Sequence, residues 1–485
     1  MTPHHRVAII GTGFGGLGMA VRLLGAGVKD FVLFERADDV GGVWRENVYP
    51  GCACDVQSHL YSLSFAPNPD WSRTYSPQPE ILAYLRGVAD RFGLRPHCRF
   101  GHAVEASRWN EDAARWEVRT SKGDFTADIL VSAVGGLSEP SIPELPGLER
   151  FEGKVMHSAR WDAAYSLKGR KVAVVGTGAS AIQFIPKIQP EVSRLTVFQR
   201  TPAWVMPRND RAVSERLQSM YRRAPATLSA VRAAIYAARE ALVLAFVHPA
   251  LAKQGERLAL RHLKAQVQDP ALREKLTPRY TLGCKRILVS DDYYPAMTKE
   301  NVTLVTTGVE EVRARSVVAC DGSEHAADTI IFGTGFHVAD MPIARQVRGR
   351  GGRTLEEVWK GSPKAFAGTT VSGFPNLFLL QGPNTGLGHT SVIVMMESQM
   401  EHVLGALRFL ESSGAVAVEP REEAQAAFVA EVDRDMAGTV WMKGGCRSWY
   451  LDRTGRNSTL WPGSTLAFRR RVERFDAADY GVLRG

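Results

Sequence analysis

Two glycine-rich turns, each directly after a short apolar run, are the parts of this 485-residue chain best suited to hold a phosphate. GTGFGG at 11–16 follows RVAII, and GTGASA at 176–181 follows KVAVV. In such spacing Gly11 closes a tight turn, Gly13 brings the backbone up to a pyrophosphate, and Gly16 packs the following helix onto its strand. Unpaired N–H groups of that helix's first turn then face the anion. The next apolar run, FVLF, ends on Glu35, about 20 residues beyond the glycines, where a carboxylate accepts hydrogen bonds from a ribose diol and repels a 2′-phosphate. The first turn is therefore expected to take FAD or NAD. At the second turn Gly176 and Gly178 keep their places, Ala181 replaces the third glycine, and RLTVF ends on Gln199 and Arg200 instead of an acid. The planar fork of an arginine suits a phosphate, so this site is expected to prefer NADPH. FAD beside NADPH in one chain implies hydride transfer to a flavin.

Two further stretches carry a resemblance. FEGKVMHSARWD places Phe151, Gly153, His157, Trp161 and Asp162 in the spacing FxGxxxHxxxW(P/D), and GGVWRENVYPGCACD supplies Gly41, Gly42, Trp44, Tyr49, Pro50, Gly51 and Asp55. Both resemble fingerprints of the type I Baeyer–Villiger monooxygenases of the flavin-containing monooxygenase superfamily. TVFQRTPAWVMPRND from 196, GCKRILVSDDYYPAMTKENV from 283, DTIIFGTGF from 328 and FPNLFLLQGPNTGLGHTSV from 374 resemble family segments in family order. One departure concerns the C-terminus: CRSWYLDRTGRNSTLWPG keeps Trp449, but the segment after it differs from that of the cyclohexanone-type members, so the resemblance does not identify the substrate.

The resemblance implies FAD and NADPH as cofactors, and a peroxide carried on flavin C4a that attacks a ketone carbonyl and gives an ester or lactone. Arg286 is implied to hold that peroxide as an anion, because a guanidinium stays charged at any working pH, and Asp55 to anchor Arg286. Lys285 is implied near the NADPH 2′-phosphate, Trp449 at the nicotinamide cofactor as a gate, and His157 in a conformational role between the domains. Gly41 and Gly42 would let the backbone pass close to the flavin, Trp44 would cover an isoalloxazine edge and keep water off it, and Tyr49-Pro50-Gly51 would form a rigid turn aiming Asp55. N- or S-oxygenation by the same cofactor is the nearest alternative and needs a protonated peroxide. An electron transferase or disulfide reductase would need a redox partner or a suitable cysteine pair, and Cys52-x-Cys54 is too tight for one. A non-catalytic NADP-binding regulator could do without Arg286 and Asp55.

Positioning these residues calls for an α/β fold with two Rossmann-like dinucleotide-binding domains. The order of motifs predicts a discontinuous FAD domain of residues 1–140 and 330–485, and an NADP domain of 145–330 with a helical insertion at about 211–276. AALVLAFVHPALA, the most apolar part of that insertion, is shorter than the ~20 residues a membrane span needs and contains His248 and Pro249; it reads as core or substrate-tunnel packing. A content of 45% hydrophobic and 23% charged residues fits a folded globular chain. The net charge of +9 is spread out except for Arg469-Arg470-Arg471, and no aromatic-interleaved basic patch points to nucleic acid. An anionic small molecule accounts for part of it. Neither signal peptide nor presequence is legible at MTPHHRVAII, so a cytoplasmic enzyme acting on a small-molecule ketone and O2 is expected. The six cysteines show no CxxC spacing; they are expected as reduced thiols, and no histidine has a second ligand at metal spacing.

Overall fold

Val7 to Ile10 are buried, as a central parallel strand requires and an uninterrupted apolar run permits. The computed structural model describes residues 2–484, apart from the side chain of Pro249. It places His4–Ile10 between Phe31–Glu35 and Gly123–Ser132, both parallel to it. Cys98–Phe100 extends the sheet on one side. On the other, Arg115–Thr120 and Val104–Asn110 add antiparallel neighbours. The remaining two strands come from far along the chain: Val347–Arg348 pairs with Val104–Asn110, and Leu377–Leu379 pairs with Gly123–Ser132.

A second sheet has five strands, all parallel, in the order Val302–Val305, Arg194–Phe198, Lys171–Val175, Thr329–Phe332, Lys154–His157. The architecture is thus the expected α/β class with two Rossmann-like folds. DTIIF supplies a strand of this second sheet, so the chain leaves the sheet only after Phe332. The helix Phe14–Gly25 opens at the first glycine turn and Ala181–Ile188 at the second.

The long helix Val392–Ser413 lies against Phe14–Gly25. A Cβ built on Gly15 would stand 3.4 Å from Met396 Sδ, and one on Gly18 would stand 2.6 Å from Met400 Cε. Both sequence numbers rise together, so the two helices run parallel. Their N-termini, each carrying a partial positive charge, therefore open on the same side of the first sheet.

Residues 211–276 are mainly helical, as Glu215–Arg223, Pro225–Glu240, Val243–Val247, Ala252–Gln266 and Pro270–Leu276. Leu263, Val267 and Leu276 bury themselves in the core of the second sheet. The Pro225–Glu240 helix reaches the other way. Arg232 donates to the carbonyls of His59 and Leu60, Arg239 donates to Gln57 and Tyr75, and Glu240 accepts from Thr465. The insertion therefore straddles both halves of the molecule. Among the described residues no helix is long and apolar enough to cross a membrane.

The expectation of six reduced thiols is corrected: Cys284 and Cys446 form a disulfide. Their separation of 162 residues carries no spacing signal, and only the docking of the C-terminal segment onto the second half of the molecule brings them together. Cys52, Cys54 and Cys98 are buried thiols and Cys320 is an exposed one.

Candidate active site

The stretch from Gly41 to Asp55 passes both glycine turns. At its start, Gly42 has φ +52°, and a Cβ on it would stand 3.0 Å from Gly13 Cα, so a side chain here would push two backbones apart. Trp44 follows, buried, its Nε1 donating to the Tyr61 hydroxyl at 3.1 Å while Gln78 donates to its carbonyl. Phe14, the residue after Gly13, meets the Tyr61 ring edge-on at 5.2 Å. These three rings form an apolar wall beside the first turn. Further on, Tyr49 donates to Gln183 Oε1 at 2.9 Å, and Gln183 Nε2 donates back to the Ala53 carbonyl at 3.0 Å. Gln183 lies on the helix of the second turn, so the Tyr49-Pro50-Gly51 turn docks the first half of the molecule onto the second.

Asp55 ends the stretch and meets Arg286. Nε and Nη2 of Arg286 both donate to Asp55 Oδ2, at 2.8 and 2.6 Å. Burial pushes the Asp55 carboxyl up, but the guanidinium outweighs it and holds the group below the usual carboxylate range. Asp55 in turn, against the effect of burial, raises Arg286 further above the range in which it could lose its charge. Both side chains remain partly open, Arg286 by 35% and Asp55 by 28%. Nη1 of Arg286 makes no hydrogen bond to the described residues, so one edge of the fork is anchored and the rest is available to an anion.

Lys285 lies with its Nζ 5.4 Å from the Tyr280 ring centroid. Burial and the nearby charge of Arg200 both push its pKa down. Neither cation has a carboxylate within ion-pair distance among the described residues, so the two positive charges stand together uncompensated. Only Arg200 of the Gln199–Arg200 pair is exposed. Gln199 is buried and donates to the Lys275 carbonyl at 2.9 Å, which places it outside the site. Glu35 is buried beside the first turn, where Oε2 accepts from the Thr12 N–H and hydroxyl, at 3.2 and 2.6 Å. Oε1 accepts from Ala37 N and Arg45 Nη2.

Trp449 is not gathered into this cluster: it is 46% exposed, its ring 4.4 Å from that of Tyr450. Tyr450 is buried and does reach the cluster. Burial pushes its phenol up to about 12, while Arg286 and Asp55 act on it in opposite senses. His157 ends an edge strand of the second sheet, and its pKa is pushed down to about 4, chiefly by burial, so it is neutral at physiological pH. The next residue, Ser158, shares a hydrogen bond with Ser180 in the second glycine turn at 3.0 Å.

Several residues escaped the sequence reading. Tyr61, Tyr75, Gln183, Arg208, Arg239 and Tyr450 have no motif of their own. Arg208 donates to the Cys54 carbonyl and lies over the Tyr75 ring. The loop before Val392–Ser413 did carry a signal, the glycine-rich GPNTGLGHTS ahead of a long apolar helix. Within it His389 Nδ1 and the Thr390 hydroxyl are buried without a hydrogen-bond partner, while His389 Nε2 faces Glu240 Oε2 at 3.5 Å.

These residues fit FAD and NADP(H). A Cβ on Gly16 would fall 1.9 Å from the Gly11 carbonyl oxygen, so the first turn is wound as tightly as a pyrophosphate cradle demands. Two parallel helix N-termini converge there, and the unpaired polar atoms at 389–390 beside one of them suit the polar edge of a flavin. Arg200 and Lys285 suit a 2′-phosphate. Cys52 and Cys54 offer no reactive dithiol, since burial pushes the Cys52 thiol up to about 12 and the Cys54 thiol up as well.

Comparison with known proteins agrees with this geometry. The family model for flavin-binding monooxygenase-like proteins matches residues 4–346. A Baeyer–Villiger monooxygenase of Streptomyces coelicolor is 56% identical over 99% of this chain and 93% of its own. One of Pseudomonas aeruginosa is 49% identical over 98% and 91%. Among solved structures, a closed form of cyclohexanone monooxygenase superposes with a TM-score of 0.90 at 30% identity, covering 100% of both chains. An oxidised steroid monooxygenase bound to NADP superposes at 0.88 and 31%, covering 99% of this chain and all of the other. With both glycine turns, the Asp55–Arg286 pair and similarity along almost its whole length, the chain belongs to the flavin-binding monooxygenase-like family, among its Baeyer–Villiger monooxygenases.

Proposed function

We propose that Arg286 is the group around which the oxygenation of a ketone is organised in this NADPH-dependent flavin monooxygenase. The observation that carries this reading is the one-sided anchoring of Arg286 on Asp55 through Nε and Nη2, which leaves Nη1 free. FAD, once reduced by NADPH, supplies with O2 the oxygen atom that enters next to the carbonyl, giving an ester or lactone. The chain supplies the surroundings. Arg286 balances negative charge where the oxygen is activated and on the carbonyl oxygen as it is attacked, without giving up a proton. That favours attack on a carbonyl over N- or S-oxygenation, which needs a proton donor. Asp55 fixes the plane of the fork, and the aromatic wall keeps bulk water out.

Gly11, Gly13 and Gly16 would hold the FAD pyrophosphate and Glu35 its ribose. Gly176 and Gly178 would hold that of NADPH, with Arg200 and Lys285 on its 2′-phosphate and Trp449 closing over the cofactor from the surface. The division into an FAD unit, residues 1–140 with 330–485, and an NADP unit, 145–330, is supported by the origin of the strands in each sheet, except that Ile330–Phe332 complete a strand of the second sheet. A cytoplasmic setting, where NADPH is supplied, accords with this chemistry.

Labelled oxygen tests the reading. Under ¹⁸O2 the enzyme should place one labelled atom in the ester for each NADPH consumed. Unlabelled product, or oxidation of sulfides and amines with no ketone converted across a broad panel, would overturn it. Cofactor choice gives a second check. Arg200→Ala should lose about 1.5–3 kcal/mol of preference for NADPH over NADH, the worth of one charge-assisted hydrogen bond. That is roughly one to two powers of ten in the ratio of kcat/KM values. An unchanged ratio would remove Arg200 from the phosphate site.

A further inference from the structure

Cys284 immediately precedes the Lys285–Arg286 pair and is fully buried, packed with Trp204, Phe246, Tyr280, Leu282, Val440 and Trp441. Its disulfide partner Cys446 packs against the same apolar cluster but from its solvent side. Cys446 is partly exposed, stands between the exposed residues Gly445 and Arg447, and lies three residues before Trp449 and four before the buried Tyr450. Besides the disulfide, a hydrogen bond from Thr281 N to the Gly444 carbonyl at 3.0 Å ties this loop to the segment before Arg286. Hydrogen bonds within the loop itself are short-range, from Tyr450 N to Ser448 Oγ and from Leu451 N to the Ser448 carbonyl. The bridge thus fastens a surface loop to the segment that carries the catalytic arginine.

We infer that this disulfide is a thiol-exchange site, at which a low-molecular-weight thiol enters through Cys446 and sets how tightly NADPH oxidation is coupled to oxygen insertion. Exchange begins at whichever sulfur a thiolate can reach, and that is Cys446, since Cys284 is enclosed. Arg447 next to it draws an incoming anion. The thiolate forms a new S–S bond to Cys446. The bond to Cys284 breaks with its electron pair on the Cys284 sulfur, which takes up a proton. A second thiol then attacks the outer sulfur of the mixed disulfide. Two external thiols have become one external disulfide, and the bridge has gained two electrons and two protons. In a reducing compartment a bridge that persists is commonly of this labile, redox-responsive kind. Cys52, Cys54 and Cys98 do not compete, because burial keeps their thiols protonated.

Reduction frees the loop bearing Trp449 and Tyr450 from the turn at Arg286. Hydride transfer needs only contact between the two cofactors and continues. Oxygen insertion needs the Arg286 surroundings closed and suffers, so reducing equivalents leave as hydrogen peroxide. The exchange itself is independent of the functional reading above, whereas the effect on coupling rests on it.

The test uses flavin-loaded full-length enzyme carrying Cys320→Ser, which removes the one exposed free thiol. It is purified without thiols, treated natively with glutathione or dithiothreitol, quenched with acid, and then denatured and alkylated for mass analysis. Untreated enzyme should show three alkylatable cysteines and reduced enzyme five, with a transient glutathione adduct on the peptide containing Cys446. Peroxide released per NADPH should rise several-fold on reduction at an unchanged rate of flavin reduction, and fall again after reoxidation. Cys446→Ser should show the high ratio with or without thiol. Five free thiols even after an oxidant, an adduct on Cys284, or a bridge that opens with no change in the peroxide ratio would each overturn the inference. Normal exchange by mass in an enzyme that converts no ketone in either state would instead count against the functional reading.

Discussion

Arg286→Ala is expected to bind FAD and accept hydride from NADPH at near-native rate, yet to form ester about 10²- to 10³-fold more slowly, the usual cost of removing one preorganised charge donor. The two half-reactions separate because they ask different things of the chain. Flavin reduction requires the two cofactors in contact, which the glycine turns and the Arg200–Lys285 pair would provide. Oxygen insertion requires compensation of the negative charge on the activated oxygen and on the attacked carbonyl oxygen, and Arg286 is the cation whose anchoring on Asp55 leaves one edge free. NADPH consumed by the variant should therefore be returned as hydrogen peroxide. Rapid mixing measures flavin reduction, and chromatography with a peroxide assay measures the products. Asp55→Ala should be affected less, since it loosens the fork and leaves its charge in place. Arg286→Lys should fall between, because an ammonium keeps the charge but cannot make the paired Nε and Nη2 contact to Asp55 Oδ2. Flavin content and circular dichroism separate a misfolded variant from an inactive one. A correctly folded Arg286→Ala enzyme making ester at near-native rate would show that the residue is structural.

Gly16→Ala should give a colourless, destabilised protein. The added methyl would stand 1.9 Å from the Gly11 carbonyl oxygen, and that atom is backbone, so no side chain can turn aside to make room. Forcing the contact costs about 1–3 kcal/mol or more and opens the turn at the point where the phosphates would sit. Flavin absorbance after purification and the thermal unfolding midpoint are the measurements. Retention of a full complement of FAD would mean that the first turn can relax. The second turn is a built-in comparison. It carries Ala181 at the corresponding place, its helix begins only at that residue, and the neighbouring strand end offers Gly333, on which a Cβ would come within 3.1 Å of the Ala181 methyl. There the chain has shifted its glycine to the opposite wall, so Ala181→Gly should leave NADPH binding nearly unchanged.

Both glycine turns, the strands feeding them, Glu35, Arg200 and the helical character of 211–276 were legible in the sequence by itself, because each depends on neighbours close along the chain. Local periodicity and turn chemistry act over a few residues and leave a readable pattern. The pairing of Asp55 with Arg286, 231 positions away, was legible only as a resemblance, since no spacing rule links them. Tertiary structure alone decided the rest. It turned Gln199 into the core, left Trp449 on the surface against the buried Tyr450, and used Gln183 to dock the Tyr49 turn onto the second half of the molecule. It also joined Cys284 to Cys446 across 162 residues. Each of these depends on which surfaces meet when the two sheets and the C-terminal segment pack together. That choice is made by buried area and charge summed over the whole molecule, and no single segment records it.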